Sequence, residues 1–150
     1  MQLIAFEAAH LSQLTLQPAQ QRMQRYCSEA YALALEAQCS FSLRSDTGQI
    51  LACAGVVEEE PHRAYGWVLL SAVAPQVLVF IHKKIRRYLQ RCPYLRVETV
   101  VDEGFAQGKR WMVLLGFEAE GRLQHFYGEG QHVQLYARTS PLLSPLSGGV

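Results

Sequence analysis

The chain has 150 residues and a mass of 16.9 kDa, the size of one domain. Hydrophobic residues make up 49% and charged residues 18%, which excludes a disordered tail or a low-complexity linker. Fourteen Lys and Arg against thirteen Asp and Glu give a formal net charge of +1, so global charge argues against a nucleic-acid or membrane-surface binder.

Gln2 to Phe6 reads as a short apolar strand. Pro18 stands where a helix can begin, because its missing N–H is not needed in a first turn. From there Met23, Tyr26, Cys27, Ala30, Leu33 and Ala34 recur at three and four residues, which predicts one helix ending near Ala37 with that stripe buried. Cys39 to Arg44 alternates like a half-buried strand, Asp46 to Gln49 is a turn with Gly48 free to take positive φ, and Ile50 to Val57 returns as the second strand of a hairpin. Glu58, Glu59 and Glu60 with Pro61 and His62 read as a solvated break. Ala64 to Val73 is almost wholly apolar, as in a central strand covered on both faces.

Pro75 opens the clearest helix, with Leu78, Ile81, Ile85, Tyr88, Leu89 and Cys92 on its buried stripe. His82, Lys83, Lys84, Arg86, Arg87, Gln90 and Arg91 face away, and Pro93 stops it. Leu95 to Val101 alternates as a strand, and Phe105 to Leu115 is a short helix closed by Gly116 as a left-handed cap. Phe117 to Leu123 and Val133 to Arg138 form a last hairpin around Gly128 and Gly130. The tail from Ser140 to Val150 is rich in Pro, Ser and Gly and is expected to fray.

The apolar runs Trp67 to Val73 and Val77 to Ile81 fall well short of the ~20 residues that span a bilayer. The start, Met1 to Glu7, lacks the basic region of a signal peptide. The four cysteines at 27, 39, 53 and 92 have neither C-x-x-C nor metal-ligand spacing, so buried reduced thiols in a cytoplasmic protein and no metal site are expected. The five histidines share no ligand spacing; His125 and His132 flank the last hairpin loop and read as a solvent-exposed pair.

The order is strand, helix, three strands, helix, strand, helix, two strands. Strand 64–73, helix 75–92 and strand 95–101 make one right-handed β-α-β crossover, and the other pairs are hairpins. This predicts an α/β fold in one domain. The layout over residues 1–139 resembles the GCN5-related N-acetyltransferase (GNAT) fold. Arg110-Trp111-Met112-Val113-Leu114-Leu115-Gly116-Phe117 is similar to the family's last-helix signature, an apolar helix that ends on Gly-Phe before the final hairpin. The resemblance implies a mixed, mostly antiparallel sheet with helices on both faces and a splayed parallel pair at its centre that seats the pantetheine arm of acetyl-CoA. A narrower resemblance, carried by Trp67 to Val73, by Lys83-Lys84 and Arg86-Arg87, and by the ending Leu115-Gly116-Phe117 through Gly130-Gln131 to Gln134-Leu135-Tyr136, is to small GNAT-like proteins of short-tailed bacteriophages, an internal virion or assembly protein among them.

Active members read Gln or Arg, two residues, Gly, one residue, then Gly or Ala at the start of the central helix, and the bare amides cradle pyrophosphate. Here Val73-Ala74-Pro75-Gln76-Val77-Leu78-Val79-Phe80 has no glycine, with Gln76 at the first position and side chains at Val77 to Phe80 where backbone meets phosphate. The catalytic Tyr four residues before the signature Gly is Met112, which has no proton to donate, and the Asn early in that helix is Phe105.

The resemblance implies acetyl-CoA as cofactor and an amine as substrate. Leu70, Ser71, Ala72 and Val73 are then expected to hydrogen-bond the pantetheine, the amides of Gln76, Val77, Leu78 and Val79 to meet the phosphates, and Glu98 to deprotonate the amine through water. The bland reading of Glu98 is an outward-facing strand residue, that of Ser71 a sheet-face hydroxyl, and that of Lys83, Lys84, Arg86 and Arg87 the exposed face of an amphipathic helix. Two functions stay open. One is an N-acyltransferase with a degenerate pyrophosphate loop. The other is a catalytically inactive GNAT-fold protein in virion assembly or binding, with a phage or host protein partner, in the host cytoplasm or the virion.

Overall fold

The structure, a computed structural model, describes residues 1–140; all but Ser140 of the tail expected to fray lies outside the described residues. Its contacts gather into two compact units: Met1–Glu58 with Gly66–Ile81, and Glu59–Tyr65 with the chain from His82. The seven strands follow the order β1-β2-β3-β4-β5-β7-β6, where β1 is Gln2–Ala5, β2 Cys39–Arg44, β3 Ile50–Glu60, β4 Arg63–Leu70, β5 Arg96–Asp102, β6 Glu118–Leu123 and β7 Val133–Thr139. Pairing is antiparallel for β1 with β2, β2 with β3, β5 with β7 and β6 with β7, and parallel for β4 with β5. The expected mixed, mostly antiparallel α/β sheet with a parallel pair is present, with the two hairpins in the expected places.

In the first unit α1 (Ala8–Gln13), a 3-10 helix (Pro18–Tyr26) and α2 (Glu29–Glu36) separate β1 from β2. The sequence was silent over α1, whose first turn is tied by the Glu7 N–H donating to His10 Nδ1 at 3.1 Å. The single helix expected from Pro18 to Ala37 is broken at Cys27 and Ser28, because the Ser28 hydroxyl caps the Tyr31 amide at 3.2 Å and starts a new helix. With the phase reset, α2 buries Ala32 and Leu35 and leaves Leu33 53% exposed, against the expected stripe. The core of this unit joins Phe6, Leu11, Leu14, Leu35, Ile50 and Leu69, each worth ~1.5–3 kcal/mol when fully buried.

β3 runs three residues past its expected end, through Glu58, Glu59 and Glu60, which are strand and not a break. The Glu59 carboxylate pairs with Arg63 across the Pro61–His62 turn, so the acidic run is partly neutralised there. β2 and β3 approach so closely at Gly55 that a Cβ there would stand 2.5 Å from the Cys39 carbonyl oxygen. β4 stops at Leu70, three residues short of the expected end, and Ser71–Ala74 lead into α3, Pro75–Arg91. On α3 Ile81 and Leu89 are buried as expected, but Leu78 is 39% exposed.

In the second unit β5, β7 and β6 form an antiparallel set, and β4 joins it through the parallel pairs Arg63–Arg96, Ala64–Val97 and Tyr65–Glu98. α4, Ala106–Leu114, ends as expected on Gly116 at φ +90°, and Phe117 is buried behind it.

Candidate functional site

Backbone groups along a strand alternate between its two edges. The Arg96 N–H donates to the His62 carbonyl at 3.1 Å, so the groups of even-numbered residues in β4 face its β5 edge. Ser71 confirms the alternation: its N–H and its hydroxyl both donate to the Leu51 carbonyl of β3, each at 3.0 Å. The carbonyl of Val68 and both backbone groups of Leu70 therefore lie on the same edge as His62.

That edge is engaged by the chain's own 3-10 helix. Gln20 Nε2 donates to the Val68 carbonyl at 2.8 Å, the Leu70 N–H donates to Gln20 Oε1 at 2.9 Å, and the Gln17 N–H donates to the Leu70 carbonyl at 2.8 Å. Of the residues expected to meet pantetheine, Leu70 thus bonds Gln17 and Gln20, Ser71 bonds β3 and is buried, Ala72 is exposed, and Val73 is half-buried.

The start of α3 is similarly committed. The Ala74 carbonyl accepts from the Val77 N–H at 2.9 Å and from the Leu78 N–H at 3.3 Å, and Pro75 has no N–H to give. A helix start offers anions its orphan amides. Here the Val77 amide is drawn to the Ala74 carbonyl, and that of Leu78 makes the first ordinary helical bond. The side chains of Leu78 and Val79, 39% and 52% exposed, add apolar surface beside it.

In the second unit Glu98 is three-quarters or more shielded, with side-chain exposure of 18%, and both its oxygens are held. Arg63 Nη1 donates to Oε1 at 3.0 Å and Arg96 Nε to Oε2 at 2.8 Å. Arg96 continues to Glu120 at 2.6 Å, and Arg63 to Glu59, which makes a five-member chain of alternating charge. Hydrogen bonds donated to Glu120 and then to Glu98 push the Arg96 guanidinium upward, and the Arg96 hydrogen bond holds Glu120 below the usual carboxylate range.

Met112, where the resemblance expects a tyrosine, is buried, and Phe105 is the residue that precedes α4. The neighbouring Trp111 Nε1–H donates to His82 Nδ1 at 3.0 Å, so His82 is half-buried and bonded where the sequence pointed it to solvent. Lys83, Arg86 and Arg87 are exposed and Lys84 half-buried. His125 and His132 do meet, with ring centroids 4.7 Å apart, and each Nδ1 accepts a backbone amide: Gly130 N–H on His125, His125 N–H on His132. Among the described residues no group of three or more His, Cys, Asp or Glu is placed to hold a metal ion, and no helix is long and apolar enough to cross a membrane.

The sequence missed Gln17 and Gln20, since nothing in a Gln-Pro-Ala-Gln run announces a strand partner some fifty residues away. It also missed a buried relay in the first unit, where Ser42 Oγ lies 2.9 Å from His10 Nδ1 and 3.5 Å from Cys53 Sγ.

No protein-family model matches the chain, and no curated protein matches it. Solved structures do. The phosphinothricin acetyltransferase of the GNAT superfamily from Sinorhizobium meliloti, in complex with AcCoA, superposes with a TM-score of 0.71 at 15% identity over 92% of this chain and 87% of that one. Ard1 from Thermoplasma volcanium gives 0.75 at 13% identity over 92% and 96%. A mutant spermidine N-acetyltransferase from Vibrio cholerae gives 0.63 at 15% identity over 97% and 99%. At such identities the likeness is one of fold, and the fold is that of the GNAT superfamily.

Proposed function

We propose that the chain is N-acyltransferase-like, built to take an acyl-CoA and an amine, and that the arrangement described is its closed form. The observation that carries this is the edge of β4. Its Val68 and Leu70 groups pair with the N–H and C=O of a carboxamide, the functional group that recurs along a pantetheine arm. The solved relatives in fold support the class, among them a protein in complex with AcCoA and a spermidine N-acetyltransferase. As arranged, however, the residues do not fit acetyl-CoA. The strand edge is taken, the first turn of α3 keeps its Val77 and Leu78 amides for Ala74, and Met112 offers no proton. Glu98 is the carboxylate proposed to take the amine proton through water. Its two oxygens already accept charged hydrogen bonds, so a water must share them with Arg63 and Arg96.

The second reading is a GNAT-fold protein that no longer catalyses and serves as a binding or virion-assembly module with a phage or host partner. The buried Met112 and the glycine-free start of α3 favour it. A thermal-shift titration of the full chain with acetyl-CoA separates the two. A binder at 100 times its dissociation constant gains about 2.7 kcal/mol. A rise in Tm that saturates with cofactor supports the first reading; a flat Tm to millimolar acetyl-CoA, in the parent and in a chain whose β4 edge has been uncovered, removes it and leaves the second.

A further inference from the structure

The Gln20 carboxamide has a donor end and an acceptor end, and both are spent on β4. Nε2 reaches the Val68 carbonyl at 2.8 Å and Oε1 receives the Leu70 N–H at 2.9 Å, which is the pairing a neighbouring strand would make. Gln17 adds its backbone N–H to the Leu70 carbonyl at 2.8 Å and its own Nε2 to Gln20 Oε1 at 3.1 Å. A β4 edge that would otherwise present carbonyl, amide and carbonyl in a row is covered by a piece of the same chain. An edge of this kind is a ready template for an extended, amide-bearing ligand.

The cover is only partly anchored. It belongs to the 3-10 helix Pro18–Tyr26, in which no residue is fully buried and Met23 packs, half-buried, against the core, and 3-10 turns have poorer hydrogen-bond geometry than α-helical ones. Replacing a carboxamide on the edge by another amide exchanges hydrogen bonds of the same kind, so the net cost of the swap is small.

We propose that Gln20, supported by Gln17, is an autoinhibitory latch: it occupies the β4 edge in place of the pantetheine arm and must swing away before an acyl-CoA can lie there. The latch rests on the acyl-CoA reading. Two variants test it. Gln20→Ala deletes both side-chain bonds to β4. Gln17→Pro deletes the backbone donor at a residue whose φ of −60° and ψ of 155° suit proline, so the chain path is kept. Each full-length variant is titrated calorimetrically with acetyl-CoA, with hydrogen exchange followed at the Leu70 amide. Gln20→Ala is expected to bind on the order of ten- to thirtyfold tighter than the parent, the equivalent of two ordinary hydrogen bonds. Gln17→Pro should shift the same way by less. The Leu70 amide should lose protection in Gln20→Ala and regain it when acetyl-CoA is added. Unchanged or weaker binding in both variants, with unaltered circular dichroism, overturns the latch and leaves the acyl-CoA reading standing. Binding by none of the three proteins at millimolar acetyl-CoA overturns both. If Gln20→Ala fails to fold, Gln17→Pro decides alone, and an affinity equal to the parent's overturns the latch.

Discussion

Cys53 shows how far a residue's surroundings govern its chemistry. It is fully buried on β3, and burial pushes its thiol up to about 11, opposed by a hydrogen bond with Ser42. With His10 Nδ1 accepting the Glu7 N–H, the Ser42 hydroxyl donates to it or to Cys53 Sγ, and the latter is the bond that opposes the upward push on the thiol. The relay has the composition of a nucleophilic site, but Ser42 is fully buried and no substrate reaches it, so it satisfies polar groups in a core. The sequence suggested buried thiols throughout, and Cys39 corrects that by being exposed at the start of β2. With a thiol reagent at pH 8, Cys39 should react promptly and Cys53 only as fast as the unit opens. A thiol whose folded value lies above the ordinary 9.0 contributes stability that is intact below pH 9 and is lost as pH rises towards 11. Urea midpoints measured from pH 8 to 11 should fall over that window; a flat profile together with prompt labelling of Cys53 contradicts its burial.

At the scale of elements, legibility followed the strength of the local signal. Helix α3 and the hairpin β2–β3 were readable because proline, Gly48 and strict alternation mark their ends. Residues 18–37 were not, because an apolar period carries across Cys27 and Ser28 even though the Ser28 cap interrupts the helix. A cap at an interior serine and a stripe that changes phase look alike in one sequence. Gly55 illustrates a second blind spot, since its need is tertiary. Its φ is ordinary, yet a Cβ would press on the Cys39 carbonyl at 2.5 Å and on Ser40 Cα at 2.9 Å, both backbone atoms of the paired strand. Backbone cannot rotate away as a side chain would. Gly55→Ala should therefore cost about 3 kcal/mol, at the upper end of what overpacking does. The urea midpoint is expected to drop at unchanged m-value. A loss below 0.5 kcal/mol would mean that β2 and β3 part locally at little cost.

For the whole molecule, the order of elements along the chain was legible and the state of the site was not. Order follows from periodicity and turn residues, which are local. Whether a strand edge is open depends on a partner far along the chain, as Gln20 is to Val68. The charge balance behaves in the same way. A formal charge of +1 conceals the chain Glu59–Arg63–Glu98–Arg96–Glu120 and the separate pair Arg122–Glu103, which bind acidic residues to cations.

These pairs set how the molecule responds to acid. The hydrogen bond from Arg96 holds Glu120 below the ordinary 4.5, and that from Arg122 does the same for Glu103. A carboxylate depressed in the folded state contributes stability that is present above its unfolded value and is lost as pH falls through the folded one. Thermal stability should therefore hold above pH 5 and decline below about pH 4.5. Glu120→Gln removes one proton-binding difference, so its acid-side decline should be shallower than the parent's, while its Tm at pH 7 changes little because the pair is exposed. Salt at 0.5 M should weaken the exposed Arg122–Glu103 contribution more than that of the half-buried Glu98, whose neighbours shield it from counterions. Scanning calorimetry of parent and variant from pH 3 to 7 at two salt concentrations measures both effects. Identical acid profiles for the two proteins would show that the Arg96–Glu120 contact does not persist in solution.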